Sequence, residues 1–549
     1  MATFVELFAG CGGMSLGLEA ATHTMLMANE LSPMAAESYS YNLLGVDIRE
    51  DGFAKSPISS RRVLWLNSKY GSDDVRQRLD ENPYTFDSTP QSRELKESDL
   101  TGKLIVGDIR QLNEYAAQAR RPLLSTAPDM VTGGPPCQSF SMAGLRQFNN
   151  HRNRLPWEFA KFVEAHQPKL AILENVSGIL RPFMDESQRV YAWIEVAKAF
   201  ATIGYAPICL HVNAKDAGVA QNRPRFIMIA VRKECVTDVE ERLGSAGGIL
   251  AWGTDLVARI AAGRDISDGP HSEGLVDLTR PETASRYRNG VLAEFMTTAD
   301  KPFTVADAIG DLHDEPEAHP YVEEINAVLS PFVTTRGRRW ASKELANNEH
   351  RRHSAVVQAR FRLYQRIEEL AGAGQKLDEL RAFMRDTDAT RVPDSKQLRS
   401  LLFGDPLRNP AGREVRTEND VLSLIIELRT RKRTQKALRR GLPAPAALSI
   451  PDDACHYAEP RTLSVREMAR IQSFPDNFHF RSVPTTGGAR RKYQVPQYTQ
   501  VGNAVPPKLA YALGRVAAVM LGEPVAPSKF PEVLRNSSAE AHRQTVLVD

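Results

Sequence analysis

What most restricts the fold of this chain is the rhythm of its first 232 residues. Short apolar runs end in polar or glycine turns and are followed by longer amphipathic runs. Thr3–Phe8, Thr24–Asn29, Leu104–Ile109, Asp129–Thr132 and Leu170–Val176 predict strands, and Ile208–Asn213 and Arg225–Val231 resemble them. Met14–Ala21, Leu155–His166 and Val190–Ile203 predict helices between them. Parallel strands need a long crossover, which a helix supplies. The alternation therefore predicts an α/β fold with a doubly wound, largely parallel sheet. In such sheets ligands bind in the crevice at the carboxyl ends of the strands.

Two segments break the rhythm. Gly45–Gly102 is polar and turn-rich and predicts an insertion between strands. From Lys233 the chain is more polar and carries basic bursts at Arg336–Arg339, Arg351–His353 and Arg429–Arg440 (RTRKRTQKALRR). Any one burst reads equally well as a solvated helix face or as a phosphate contact. Val357, Phe361, Tyr364, Ile367 and Leu370 recur at helical spacing and predict a buried stripe. The α/β style returns only near Pro460. The expected organisation is a first domain over 1–232 with an insertion at about 45–102, and a second, smaller region over 233–459. A return to the first domain over 460–525 and a tail over 526–549, expected to be disordered, complete it. A length of 549 residues is too great for one simple core.

The net charge is only +3, so affinity for nucleic acid must come from clustered basic residues. Cys11, Cys137, Cys209, Cys235 and Cys455 are scattered and form no CxxC pair. That argues against a zinc knuckle or a disulfide framework and fits a reducing compartment. No run of about 18 apolar residues is present, so no helical membrane span is expected. The start MATFVELFAG lacks the features of a signal peptide, and a cytoplasmic location is expected.

The candidate chemistry sits at the predicted strand ends. Phe8–Gly13 (FAGCGG) is a glycine turn after a strand and before a helix, where backbone and helix N-terminus can approach a ligand. Glu30 ends the second strand, where a carboxylate can accept hydrogen bonds from ribose hydroxyls. The spacing departs from GxGxxG, which disfavours a dinucleotide. Asp108 ends the third strand in Gly107–Ile109, with helix capping as its alternative role. Glu30 and Asp108 together suit the ribose and exocyclic amine of an adenosine, and an adenosine without a cradled pyrophosphate points to S-adenosylmethionine. In VTGGPPCQSFSMAG (Val131–Gly144), two prolines stiffen the approach to Cys137. A thiol displayed this way is a nucleophile candidate, and the small polar residues after it suit a loop that closes on substrate. Glu174, in Glu174-Asn175-Val176, ends the fifth strand and could donate a proton there or serve in a structural ion pair. Arg223 and Arg225 of QNRPR lie two apart on an extended segment, on one side, where they could grip a carboxylate and a base carbonyl.

These motifs, in this order, resemble the DNA cytosine-5 methyltransferase family. Two more lie downstream: Arg461–Pro475 (RTLSVREMARIQSFP) resembles the family's ninth motif and Gln500–Pro507 (QVGNAVPP) its tenth. The resemblance covers Thr3 to about Val231 and Arg461 to about Leu521. It implies a Rossmann-like S-adenosylmethionine-dependent sheet with a separate target-recognition domain within 233–459. Cys137 would add to C6 of cytosine. Glu174 would protonate or hydrogen-bond N3 and the exocyclic amine, and Arg223 and Arg225 would bind O2 and orient Glu174. Phe8, Gly10, Gly12, Glu30, Leu31, Asp108, Ile109, Pro135 and Asn503 would hold S-adenosylmethionine, with no metal.

The implied substrate is a cytosine flipped out of double-stranded DNA. No regulatory domain precedes the motifs, so the chain resembles bacterial or phage enzymes. That analogy implies a monomer in a restriction-modification or phage-defence system, with cognate restriction or defence proteins as partners. Two departures stand out: Leu31 occupies a place where a larger side chain often packs on adenine, and the 45–102 insertion is foreign to the family's minimal core. An RNA (tRNA) cytosine-5 methyltransferase of the same fold is the first alternative. That branch has a short, cysteine-bearing recognition segment, whereas 233–459 is long and holds only Cys235 and Cys455. A non-catalytic DNA-binding relative is opposed by intact PPC and ENV motifs, and a nicotinamide oxidoreductase by the missing GxGxxG.

Overall fold

A computed structural model describes residues 1–51, 62–66, 75–85, 95–136, 155–185, 188–264, 273–296, 301–334, 345–387, 391–432, 434–446, 450–525 and 527–530. Cys137, the burst Arg336–Arg339, parts of the 45–102 insertion and nearly all of the 526–549 tail lie outside the described residues.

The apolar runs of the first 232 residues fold into strands. They are β1 (Thr3–Leu7), β2 (Thr24–Glu30), β3 (Val63–Trp65), β4 (Lys103–Val106), β5 (Met130–Gly133), β6 (Leu170–Val176), β7 (Tyr205–Asn213) and β8 (Pro224–Arg232). A ninth strand, β9 (Leu275–Asp277), comes from beyond Lys233. One sheet holds all nine in the order β9-β7-β8-β6-β5-β1-β2-β4-β3. The central strands are buried along almost their whole length, as expected of a sheet covered on both faces. Among the helices packed on it are α4 (Leu155–His166) and α5 (Ala192–Thr202). Every pairing is parallel except those of β8, which runs antiparallel to both β6 and β7. The short turn between β7 and β8 leaves no room for a crossover, so the two form a hairpin. The sheet winds outward in both directions from β1 and β5, and their carboxyl ends open the crevice expected of a doubly wound sheet.

The third strand is shorter than its sequence suggests. It stops at Val106, and Asp108 is the N-cap of helix α3 (Ile109–Ala119), accepting from the Arg110 N–H at 2.9 Å. A short carboxylate that can cap a helix ends the strand early.

The C-terminal return packs on the glycine helix α1 (Gly13–Ala20) through α8 (Pro507–Leu521). A methyl group on Gly17 would stand 2.3 Å from the Pro507 carbonyl oxygen and 2.5 Å from Ala510 Cβ. Only a residue without a side chain fits there. Residues 236–295 contribute Val239, Leu243, Leu250, Leu292 and Phe295 to the same core as Ile208 and Ile227 of the sheet. Val305, Ala308 and Tyr321 share a core with Ala469 and Phe474 of the return. A distinct core forms from Phe361, Leu380, Phe383, Leu398, Leu424 and Cys455. The stripe read from sequence is there: α6 (Ala355–Gly372) buries Phe361, Tyr364 and Ile367, with Val357 and Leu370 at the margin. Gln221–Asn222 pairs with Ala444–Pro445 where the two bodies meet. A cavity of about 270 Å³ opens beside that bridge, between Gln221, Leu463 and Met468 and the opposing Arg385 and Lys436. Among the described residues no single helix is long and apolar enough to cross a membrane.

Glu6 is a carboxyl group buried inside the first strand. It is hydrogen-bonded to Ser15 of α1, whose hydroxyl also meets Tyr39 of α2 (Pro33–Leu43) at 2.8 Å. Burial pushes Glu6 up from 4.5 to about 8, against the pull of the Ser15 hydrogen bonds.

Two outcomes follow. Gly17→Ala should cost about 1–3 kcal/mol in a urea titration, because the added methyl forces α1 and α8 apart. Gly10→Ala meets nothing within 4 Å and should carry only the strain of its left-handed backbone, about 1 kcal/mol. Glu6 should set a pH dependence. Unfolded, it ionises near 4.5; folded, it stays neutral to about 8. Its contribution is fully present below the lower value and is lost as pH rises through the upper one. Wild type should therefore lose more melting temperature between pH 5 and pH 8.5 than Glu6→Gln does.

Candidate active site

The glycine turn between β1 and α1 bends with left-handed residues at Phe8 (φ 57°), Gly10 (φ 57°) and Gly12 (φ 96°). A side chain on Gly12 would stand 2.5 Å from Leu43 Cδ1, and the backbone φ of 96° there favours glycine. Glu30, ending β2, braces this turn. Its carboxylate accepts from the Gly10 N–H at 2.8 Å and the Ser32 N–H at 2.7 Å. Burial pushes the Glu30 carboxyl up, and these N–H donors pull it back. Leu31 and Asp108 line one narrow cleft beyond the ends of β2 and β4, with Gln111. The Asp108 carboxylate is ion-paired with Arg110, and Ile109 is buried in the first turn of α3.

A second group gathers at the ends of β5, β6 and β8. Glu174 is 8% exposed, and Arg225 Nε lies 2.6 Å from its Oε1. Burial works against the Arg225 charge and Glu174 sustains it. Pro135 is buried, and its carbonyl accepts from the Asn175 side-chain amide at 3.1 Å. That bond ties the turn after β5 to the end of β6. A methyl on Gly134 would stand 3.2 Å from Glu174 Oε2, so the chain leading to Cys137 passes directly beside this carboxylate. Cys137 itself is outside the described residues, and exposed Pro136 is the described residue just before it. Cys11, Cys209 and Cys455 are buried, and burial pushes each of these thiols far above its ordinary range.

The two arginines of QNRPR have different partners. Arg225 meets Glu174, but Arg223, 1% exposed, donates to the carbonyls of Gly502 at 3.0 Å and Ala504 at 2.9 Å. These carbonyls lie at the end of α7 (Gln497–Asn503), where a helix leaves acceptors without internal donors. Asn503 stands between them, exposed. The same segment crosses the glycine turn: a methyl on Gly13 would lie 2.3 Å from the Val505 carbonyl oxygen. The anchoring part of Arg223 and the tie made by Asn175 were not read from sequence. The one signal for the first is that Pro506-Pro507 stops α7 and leaves its carbonyls in need of a buried cation; the second has none in the sequence.

The basic bursts are partly neutralised within the chain. Lys432 pairs with Asp452 at 2.8 Å, as does Arg351 at 3.1 Å. Arg439 pairs with Glu368 at 2.8 Å and Arg440 with Glu315 at 2.8 Å, while Arg429 lies 3.8 Å from the centre of the Phe383 ring. The segment 429–440 therefore offers a phosphate less charge than its sequence suggests.

Residues 2–53 and 96–518 match the family model of C-5 cytosine-specific DNA methylases. Curated relatives are similar over most of the chain. The Type II methyltransferase M.DdeI of Desulfomicrobium norvegicum is 25% identical over 93% of this chain and 86% of its own length. M1.HphI of Haemophilus parahaemolyticus is 24% identical over 94% and 87%, and M.XorII of Xanthomonas oryzae pv. oryzae is 24% identical over 96% and 87%. The family match encloses every strand end that forms the crevice save β3. The chain belongs to the C-5 cytosine-specific DNA methylase family and is a DNA cytosine-5 methyltransferase.

Proposed function

We propose that this methyltransferase modifies a cytosine flipped out of double-stranded DNA by way of a covalent bond from Cys137 to C6. The observation that carries the reading is the buried Glu174–Arg225 pair, 2.6 Å apart, beside the turn that leads into Cys137. C5 of cytosine is a poor nucleophile because its ring is aromatic. Addition of the Cys137 thiolate at C6 breaks that aromaticity and makes C5 enamine-like. Glu174 hydrogen-bonds or protonates N3 and stabilises the charge that develops there, and Arg225 holds Glu174 in place and faces O2. C5 then takes a methyl group, loses its proton to a base, and Cys137 is expelled. The stacked base is out of reach of a thiol, so the nucleotide must leave the helix first.

S-adenosylmethionine, when bound, supplies the electrophilic methyl group. The residues present fit it. The left-handed turn Phe8–Gly12 brings backbone to the crevice, the Glu30 carboxylate that accepts from Gly10 keeps further lone pairs for ribose hydroxyls, and Leu31 and Asp108 border the adjoining cleft, with Ile109 buried behind Asp108 in the first turn of α3. Pro135 and Asn503 flank the crevice from the β5 turn and the C-terminal return. Arg223 is a positioning residue in this reading, holding the return in place. The body with its own core, about 355–455, is the target-recognition domain, and the 233–296 segment joins it to the sheet. The relatives' names support a Type II modification enzyme; a cognate restriction or defence partner, a cytoplasmic location and a monomeric state belong to this reading by family analogy alone.

The test is methyl transfer from labelled S-adenosylmethionine to mixed-sequence duplex DNA, followed by mapping of 5-methylcytosine. Wild type should mark one recurrent motif, and Cys137→Ser should lose activity by several orders of magnitude. Labelling of transfer RNA with none of DNA would overturn the reading. The arginines should separate. Arg225→Met should lower kcat with S-adenosylhomocysteine binding retained. Arg223→Met should instead destabilise the protein in urea, by about 1–3 kcal/mol for each buried carbonyl it orphans.

A further inference from the structure

The family model passes from residue 53 to residue 96 and leaves the intervening segment unmatched. The described parts of that segment nevertheless return to the sheet. β3 pairs with β4 in parallel, with Trp65 opposite Val106, and the Leu66 N–H donates to the Val106 carbonyl at 2.9 Å. Leu66 packs so tightly on Gly107 that a methyl there would stand 2.6 Å from Leu66 Cβ. Leu79, 1% exposed, shares a core with Leu104 and Val106. The segment is therefore seated on the strand that carries the Gly107–Ile109 motif.

Its seat forms half of a cleft. Trp65, Glu81 and Pro83 of the unmatched segment face Leu31, Asp108 and Gln111 of the family core. The guanidinium of Arg78 lies 5.4 Å from the centre of the Trp65 ring. This is an unusual set. It offers a flat aromatic face, apolar contacts, and carboxylate and amide oxygens that accept from an exocyclic amine. The chemistry that matches is an uncharged purine nucleoside.

We propose that the segment absent from the family model is a wall of the cofactor's adenine site, with Trp65 as the side chain that stacks on the base across from Leu31. This rests on the reading of S-adenosylmethionine as cofactor. Trp65 then supplies from the insertion the large side chain that Leu31 does not. The free volume of the cleft is only about 20 Å³, so a purine enters by parting Trp65 from Leu31. Binding must therefore move the indole.

The test uses the full chain and S-adenosylhomocysteine as probe. Calorimetry on wild type, Trp65→Ala and Trp65→Phe should show roughly tenfold or greater weakening in the alanine variant. The phenylalanine variant should stay within about threefold of wild type, because it keeps an aromatic face. KM for S-adenosylmethionine should rise in Trp65→Ala, with kcat and affinity for DNA little changed. The probe should also alter tryptophan emission in wild type, and that change should be lost or strongly reduced in Trp65→Phe. Wild-type affinity in a folded Trp65→Ala would overturn the proposal. So would an undiminished emission change in Trp65→Phe, which decides the matter even if the alanine variant does not fold. Failure of wild type to bind the probe would instead overturn the cofactor reading, and this proposal with it.

Discussion

The crevice depends on backbone meeting backbone between the two ends of the chain. Gly13 and Gly17 let the Val505–Ala510 segment press onto α1 with no side chain between them. Arg223 then holds the segment by two carbonyls. Gln500 adds a further lock: its side chain accepts from the Ser38 hydroxyl at 2.5 Å and donates to the Met34 carbonyl at 3.1 Å. Each of these groups is buried, and a buried polar group left unpaired is costly. The result is a junction that fits in one register. The position of the glycine turn, and of Glu30 braced against it, follows from that register.

A second set of charges braces the return, and one of its pairs, Arg470–Asp311, ties it to the segment before the separate core of 355–455. Arg470 pairs with both Asp311 and Asp476 at 2.7 Å. Arg461 pairs with Glu467 at 2.7 Å and Glu459 at 2.6 Å, the latter held down at about 2 chiefly by that arginine. Such buried pairs add little net stability, because desolvation offsets their attraction. They do penalise any arrangement that separates them. We read them as devices that fix the return in place while the apolar cores supply most of the stabilisation.

Much of this was legible in the residues. The sheet was, because runs such as Leu170–Val176 are apolar enough to be buried on both faces. Glu174 and Arg225 were also legible, since each lies at a strand end beside the same crevice. What sequence concealed depends on partners remote along the chain. Arg223 and Arg225 are two residues apart and read as a pair, yet only the folded chain shows that α7's carbonyls claim one of them. Asp108 is an intermediate case: the sequence offers a strand end or a helix cap, and the folded chain gives it the cap of α3. The burst at 429–440 reads as free charge, but Glu315, Glu368 and Asp452 are invisible as its partners until the chain is folded. β9 is three residues long and has no periodicity to betray it. Trp65 sits in a polar stretch whose return to the sheet nothing local announces.

The reversed strand β8 has a consequence for how the chain is routed. Because β8 runs against its neighbours, its first residues lie at the edge where β6 ends, which is how Arg225 comes opposite Val176. Its last residue, Arg232, lies at the opposite edge, beside Tyr205. The chain thus leaves the catalytic sheet on the side remote from the chemistry. It must travel back before Ala444 can pair with Gln221. The described residues of the 233–296 segment pack along the sheet on that route. In the proposed reading, variation that changes target choice falls beyond them, in the body with its own core at about 355–455.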